Sequence, residues 1–503
     1  MIKKWLADPK FRDLLVIALI ILLNILPRLA YILSPGFFID GDEAILGTAV
    51  QDLLNNHNLQ VFLAGQNYGF VPFEVLAASA LGLFFGVNIF SLKIAMLLFW
   101  LASVIILYYI GRKMFSDWRL SCLAVAFVSF IPVWFDWATK ARIGYLTAFL
   151  FSNIVILLSL SKRNAVRIIG LSLSLVLIYY AQPLWLVIAA PFVVYYLVKD
   201  YRLKDTAIFT ISTLIIWGAS RLLLSAIDFN YQLQSRLGFD QLADNIQNIF
   251  HYYSVAYSGR FFDAAGLSLD SLAVSVSGLL VVMLGIAIVY NVYLASRRRI
   301  KRENALFLIV VVAYIVFMLL YDGERYHYRY LLPIFIPAAY LIVLTIEQLP
   351  SLKLKRYSYI FLTLYISMSL VSGLRSYVQV FPPLDDGYTE VERIESLGKF
   401  LRDNDINCVY ALDWMTSQHI DYFLPDIIVR HQDIDPRRPQ DSRQVDFLSR
   451  QSDDCALVGL WYQVSLFTSR YKLDEIFIIN SRYVLHLRPQ QEDLVKLQFK
   501  SAD

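Results

Sequence analysis

A mainly α-helical, polytopic membrane protein that ends in a small α/β domain is the fold class this sequence predicts. Three observations predict it. The chain of 503 residues is 58% hydrophobic and only 17% charged, with a mean hydropathy of +0.54, a balance that soluble chains of this length do not sustain. Its apolar residues gather into repeated runs near the length of a bilayer crossing, roughly 20 residues. Beyond residue 376 the runs stop, and short apolar segments separated by polar ones take over.

The apolar runs lie near 14–33, 91–110, 120–137, 146–161, 168–181, 184–198, 206–224, 272–294, 305–321, 331–346 and 358–376. The first follows Lys3, Lys4, Lys10 and Arg12. It lacks the short apolar core and small-residue cleavage site of a signal peptide, so it reads as an uncleaved anchor. A further apolar stretch, 72–86, is too short to cross, and charge decides its place. Lys and Arg cluster at Arg112/Lys113/Arg119, Lys162/Arg163/Arg167, Lys199/Arg202/Lys204, Arg297/Arg298/Arg299/Lys301/Arg302 and Lys353/Lys355/Arg356. The positive-inside rule puts these loops and the amino terminus in the cytoplasm. The alternate loops are poor in cations, and none stands between Ser34 and Asn88. The alternation holds only if 72–86 lies on the outer face as an interfacial or re-entrant helix. About eleven crossings then remain.

Residues 1–376 are therefore expected to form the transmembrane domain, with 34–90 as its first outside loop and 377–503 as an extracytoplasmic domain. The expected location is the plasma (inner) membrane, multi-pass, with a cytoplasmic amino terminus. In the tail, Glu390–Asp403 reads as an amphipathic helix. Asn407–Leu412, Ile427–His431, Cys455–Leu460 and Glu475–Asn480 read as strands. Three cysteines cannot build a disulfide framework. Cys122 falls in an apolar run; Cys408 and Cys455 read as free thiols in strands, with pairing as the alternative in an extracytoplasmic tail.

No stretch outside the runs interleaves basic and aromatic residues, which argues against nucleic acid as a partner. No His/Cys metal spacing, Gly-rich phosphate loop or Ser/His/Asp arrangement stands out. The densest chemistry is Phe37-Phe38-Ile39-Asp40-Gly41-Asp42-Glu43-Ala44, just after the first run. Crowding of Asp40, Asp42 and Glu43 raises the proton affinity of at least one of them, as a general base requires. The structural alternative makes Asp40 or Asp42 the N-cap of a helix starting near Ala44. That helix carries Ile45, Leu46, Val50, Leu53 and Leu54 at a spacing suited to lying on the membrane. No cofactor is required, although hard divalent cations take oxygen ligands, and the three carboxylates are the donors such an ion would use.

Lys140 and Arg142, with Tyr145, occupy the second outside loop; Arg325 and Arg329, with His327, occupy the fourth. Cations there run against the positive-inside trend. They either anchor to headgroups or hold a lipid phosphate. The turn-rich Gly65-Gln66-Asn67-Tyr68-Gly69 returns the chain within the first outside loop. Gln66, Asn67, Tyr68, Tyr145 and His327 are the candidate substrate-binding residues.

With these elements in place, the sequence resembles the integral-membrane glycosyltransferases of the GT-C superfamily. The branch it resembles is the family 39-like one related to protein O-mannosyltransferases and aminoarabinose lipid A transferases. The resemblance rests on Gly41-Asp42-Glu43-Ala44, Gly65-Gln66-Asn67-Tyr68-Gly69, Leu83-Phe84-Phe85-Gly86, Tyr109-Ile110-Gly111-Arg112-Lys113-Met114-Phe115 and Arg329-Tyr330-Leu331-Leu332-Pro333. It covers roughly residues 10–350 as a hydropathy pattern, and departs from most relatives at Phe70-Val71-Pro72-Phe73. The resemblance implies a GT-C fold and a polyprenyl-phosphate-linked sugar as donor. It implies Asp42 as the base, Glu43 assisting the acceptor, and inversion at the anomeric carbon. Two other classes are weighed beside it. A transporter or lipid flippase requires ionisable residues near the bilayer midplane, where the runs hold few. An assembly protein would bind a partner through the tail.

Overall fold

The computed structural model describes residues 8–33, 39–62, 69–131, 133–142, 144–162, 164–199, 202–225, 236–237, 242, 245–246, 271–322, 328–379, 390–431, 455–459, 473–479, 482–487 and 499–501. Of the expected site residues, Gln66, Asn67, Tyr68, Arg325 and His327 lie outside these. The chain divides into two compact units. One comprises Met1–Ile32, Gln60–Leu81 and Lys93–Val380; the other comprises Leu33–Leu59, Gly82–Leu92 and Phe381–Asp503.

The first unit is helical, and a helix stands at each apolar run. Among the described residues, five helices are long and apolar enough to cross a membrane: Pro9–Ile32, Ile89–Met114, Leu203–Ser225, Arg302–Leu320 and Arg329–Gln348. Shorter apolar helices include Trp118–Ser129, Tyr145–Ser159, Ala165–Ala181 and Pro183–Val198. The protein is a membrane protein. Leu14, Leu15, Leu19 and Leu22 on the first helix, and Leu214, Ile215, Leu222 and Leu223 on Leu203–Ser225, face outward, a surface that lipid rather than water accommodates. Inside, the Trp100 and Phe149 rings stack 5.2 Å apart and Trp134 lies 4.8 Å from Phe149. Phe307 stacks on Tyr340, whose hydroxyl donates to the Leu107 carbonyl at 2.6 Å.

The run expected to be one helix over 120–137 is two: Trp118–Ser129 and Val133–Trp137. Residue 132 is proline, which has no N–H to continue a helix. The Arg28 guanidinium accepts the interruption. It is fully buried and donates at 2.7 Å to the Ser129 carbonyl, an acceptor that a continuous helix would have satisfied internally, and at 3.2 Å to the Trp134 carbonyl. Asn24 completes the node, accepting from Arg28 at 3.1 Å and from the Trp100 indole at 3.0 Å.

The second unit holds a six-stranded mixed sheet. Its strands are β3 (Cys408–Ala411), β4 (Ile428–His431), β5 (Ala456–Gly459), β6 (Leu473–Ile479), β7 (Arg482–Leu487) and β8 (Phe499–Ser501), in the order β4-β3-β5-β7-β6-β8. A separate two-stranded piece in the first unit pairs β1 (Arg236–Leu237) with β2 (Tyr321–Asp322). The four expected tail strands are all present, and β7 and β8 add to them. The amphipathic helix Glu390–Asp403 buries Ile394, Leu397 and Leu401, spaced by three and four residues, against Val409, Ile420, Ala456 and Val458. Strands β3 and β5 run parallel with Val409 opposite Ala456. That register aligns the preceding residues, and Cys408 and Cys455 are joined as a disulfide, correcting the free-thiol expectation.

Candidate active site

The carboxylate turn opens the helix Gly41–Asn56. Asp40 is the N-cap, and its Oδ1 accepts from the Glu43 N–H at 3.1 Å. Glu43 reaches back, its Oε2 accepting from the Asp40 N–H at 3.1 Å. This reciprocal capping box satisfies two helix-terminal donors. It commits Asp40 and Glu43 to the helix end, Glu43 being 1% exposed. Asp42 stands between them in the first turn, outside the box and 9% exposed, where the helix dipole stabilises negative charge. Among the described residues, no three His, Cys, Asp or Glu side chains form a group able to hold a metal ion.

One face of this helix is covered by protein. Ala44, Ile45, Leu46, Ala49 and Val50 are buried, and the tail helix Trp414–Phe423 packs along it. The approach is close because the carboxylate helix is small on that side. A Cβ at Gly41 would stand 2.6 Å from the Trp414 ring, and one at Gly47 would collide with the Tyr422 ring. Gln51 donates to the Tyr422 carbonyl at 3.3 Å, and the His419 ring, fully buried, lies 2.8 Å from the Ile39 carbonyl through Nε2. The sequence suggested a helix lying on the membrane through its apolar side; the structure spends much of that side on the tail.

In the first unit, Lys140, Arg142 and Tyr145 gather around Trp137. The Lys140 ammonium and the Arg142 guanidinium each lie 5.7 Å from the Trp137 ring centre, and the Tyr145 ring is 4.8 Å from it. An aromatic face holds cations by its quadrupole, so Trp137 arranges the two charges. Arg329 opens the 3-10 helix Tyr328–Ile334 just behind its first residue. Its guanidinium lies 5.1 Å above the Tyr330 ring and donates to the Tyr330 hydroxyl at 3.2 Å.

Glu74 is a residue the sequence reading missed. It is fully buried and accepts from the Gly144 N–H at 2.9 Å, the Thr147 N–H at 3.3 Å and the Thr147 hydroxyl at 2.9 Å. It thereby caps the helix Tyr145–Ser159, whose entry turn carries Lys140 and Arg142. Burial pushes its carboxyl up to about 7, against the pull of those three hydrogen bonds. Gly144 turns there with φ +78°, and a side chain would strike the Ala181 carbonyl. The available signal was a lone acid in an otherwise apolar helix, Pro72–Phe85, a placement that calls for a dedicated set of donors. The flanks of the 63–68 segment are also fixed. Phe62 bridges Phe70, and the Phe70 N–H donates to the Tyr180 carbonyl at 3.1 Å.

No protein-family description matches the sequence, and no curated protein sequence does. Solved structures do match. The chain is similar to ArnT from Cupriavidus metallidurans in the apo state, with a TM-score of 0.59 and 10% identity over 95% of this chain and 98% of that one. It is similar to the same protein bound to undecaprenyl phosphate, with a TM-score of 0.58 and 11% identity over the same shares. It also aligns with the mycobacterial arabinofuranosyltransferase AftD, spanning 40% of that chain with a TM-score of 0.44 and 15% identity. The likeness to ArnT is one of fold.

Proposed function

We propose that the protein is an inverting glycosyltransferase of the GT-C type that moves a sugar from a polyprenyl-phosphate donor to an acceptor on the extracytoplasmic face of the membrane. The observation that carries the reading is the division of roles in the carboxylate turn, on a chain with the ArnT fold. Asp40 and Glu43 close the helix end on each other, and the position matching the family's base, Asp42, stands outside that exchange. The ArnT structure with undecaprenyl phosphate supports a lipid phosphate as the donor's carrier.

In this reading the Asp42 carboxylate takes the proton of the acceptor hydroxyl as its oxygen attacks the anomeric carbon. The bond from that carbon to the phosphate oxygen breaks, the lipid phosphate leaves with the electron pair, and the configuration inverts. Lys140, Arg142, Arg325 and Arg329 hold the phosphate as its charge develops. Glu43 combines its capping role with support of the acceptor. A monophosphate leaving group makes a metal ion dispensable, since the cations already offset the charge.

About eleven crossings, with the tail outside, complete the proposal. The disulfide between Cys408 and Cys455 supports an extracytoplasmic tail, because such bonds persist in oxidising compartments. The test is transfer from a radiolabelled polyprenyl-phosphate sugar by purified protein. Wild-type protein is expected to release the lipid phosphate and glycosylate an acceptor. Asp42→Asn is expected to fold and insert normally but to transfer about 10²–10⁴-fold more slowly. Near wild-type transfer by Asp42→Asn sinks the assignment.

A further inference from the structure

The contacts between the carboxylate turn and the tail point to a function for the tail itself. We propose that the tail helix Trp414–Phe423 positions the catalytic carboxylate, with His419 as its positioning residue. This inference rests on the role of Asp42 proposed above.

The turn is set by what meets it from the tail. The His419 ring nitrogen Nε2 lies 2.8 Å from the Ile39 carbonyl. A carbonyl only accepts, so Nε2 carries the hydrogen and donates. Ile39 directly precedes Asp40, whose side chain fixes the first turn of the helix. The bond therefore locks the residue that leads into the capping box, three positions before Asp42. On the other side of Asp40, the Trp414 ring rests against Gly41. The backbone entering Asp42 is held from two sides by one helix. That helix is in turn fixed by its own cap, Asp413 accepting from the Thr416 N–H at 2.8 Å, and by Gln51 bonding to the Tyr422 carbonyl.

Packing alone does not ask for a histidine. His419 is 0% exposed, and a buried imidazole is costly unless it is hydrogen-bonded. An apolar ring would fill the space without that cost. What the imidazole adds is a directed donor to one backbone oxygen. Placement at this level matters, since a misplacement of about 1 Å can slow a reaction by about 10²-fold.

The experiment compares His419→Phe, which keeps a ring but has no donor, with His419→Gln, whose terminal amide can reach where Nε2 does. Both are made in the full chain and assayed beside wild type and Asp42→Asn. For His419→Phe, kcat is expected to fall about 10- to 100-fold, while KM for the polyprenyl-phosphate sugar stays unchanged. His419→Gln is expected to recover most of kcat. Hydrogen exchange of the 39–47 backbone should quicken in His419→Phe and return toward wild type in His419→Gln. If His419→Phe does not fold, His419→Asn takes its place. Its amide mimics Nδ1 and falls short of Ile39, so it too must slow transfer where His419→Gln does not. Unchanged kcat in the donorless variant overturns the proposal, as does equal loss in both variants. Should Asp42→Asn retain transfer, the reading of Asp42 fails, and that outcome is separate from any result at His419.

Discussion

Asp40, Asp42 and Glu43 are three acids with different employment, although their sequence gives them equal standing. The capping box takes Asp40 and Glu43, and N-caps of this kind contribute about 0.5–2 kcal/mol to their helices. Among the cations the difference is of the same sort. Arg142 and Lys140 share the Trp137 face, whereas Arg329 is oriented by Tyr330 through both ring and hydroxyl. A guanidinium held in that way presents a planar fork of donors, and lysine cannot reproduce it. Arg329→Lys is therefore expected to raise KM for the donor about tenfold, the loss of one charged hydrogen bond, and Arg329→Ala further. Donor saturation curves of the two variants check this; a lysine variant equal to wild type removes Arg329 from the phosphate site.

At the scale of elements, the entry to the helix Tyr145–Ser159 depends on a carboxyl from another helix. Glu74 supplies acceptors to Gly144 and Thr147, and burial raises its carboxyl from 4.5 to about 7. The folded state thus holds the proton more tightly than the unfolded chain. The contribution to stability is full below about 4.5 and is lost as pH rises through about 7. Thermal unfolding in detergent should show wild type growing less stable across that window. Glu74→Gln should lose that component of the pH dependence, because its amide does not titrate. An unchanged slope in Glu74→Gln assigns the pH dependence to other groups.

For the whole molecule, the topology decides which face carries the carboxylate turn. The helix Pro72–Phe85 has 14 residues, short of the roughly 20 that a crossing needs, and Leu83, Phe84 and Phe85 at its end are exposed. If it lies on the outer face, Asn88 is extracytoplasmic. A cysteine at Asn88 should then react with an impermeant thiol reagent added from outside, in a Cys122→Ser background. Cys408 and Cys455 stay in place, since they are already joined. The substitution removes the Asn88 cap on Ser91, a cost of about 1 kcal/mol. Labelling only from the cytoplasmic side shows a full crossing and changes the count of spans.

The sequence by itself determined the helices and their apolar character, because burial in lipid imposes composition and length that any reader of the chain can measure. It determined the amphipathic helix Glu390–Asp403 and four of the tail strands for a similar reason: their apolar spacing is local. It located the carboxylate turn, since charge beside an apolar run is visible without a fold. Tertiary structure alone decided which two of the three acids close the capping box, as that depends on side-chain direction within one turn. It alone brought Glu74 to Gly144 across 70 residues and His419 to Ile39 across 380. Such pairings leave no periodic trace in a single chain, because each joins two segments whose local patterns are satisfied without it.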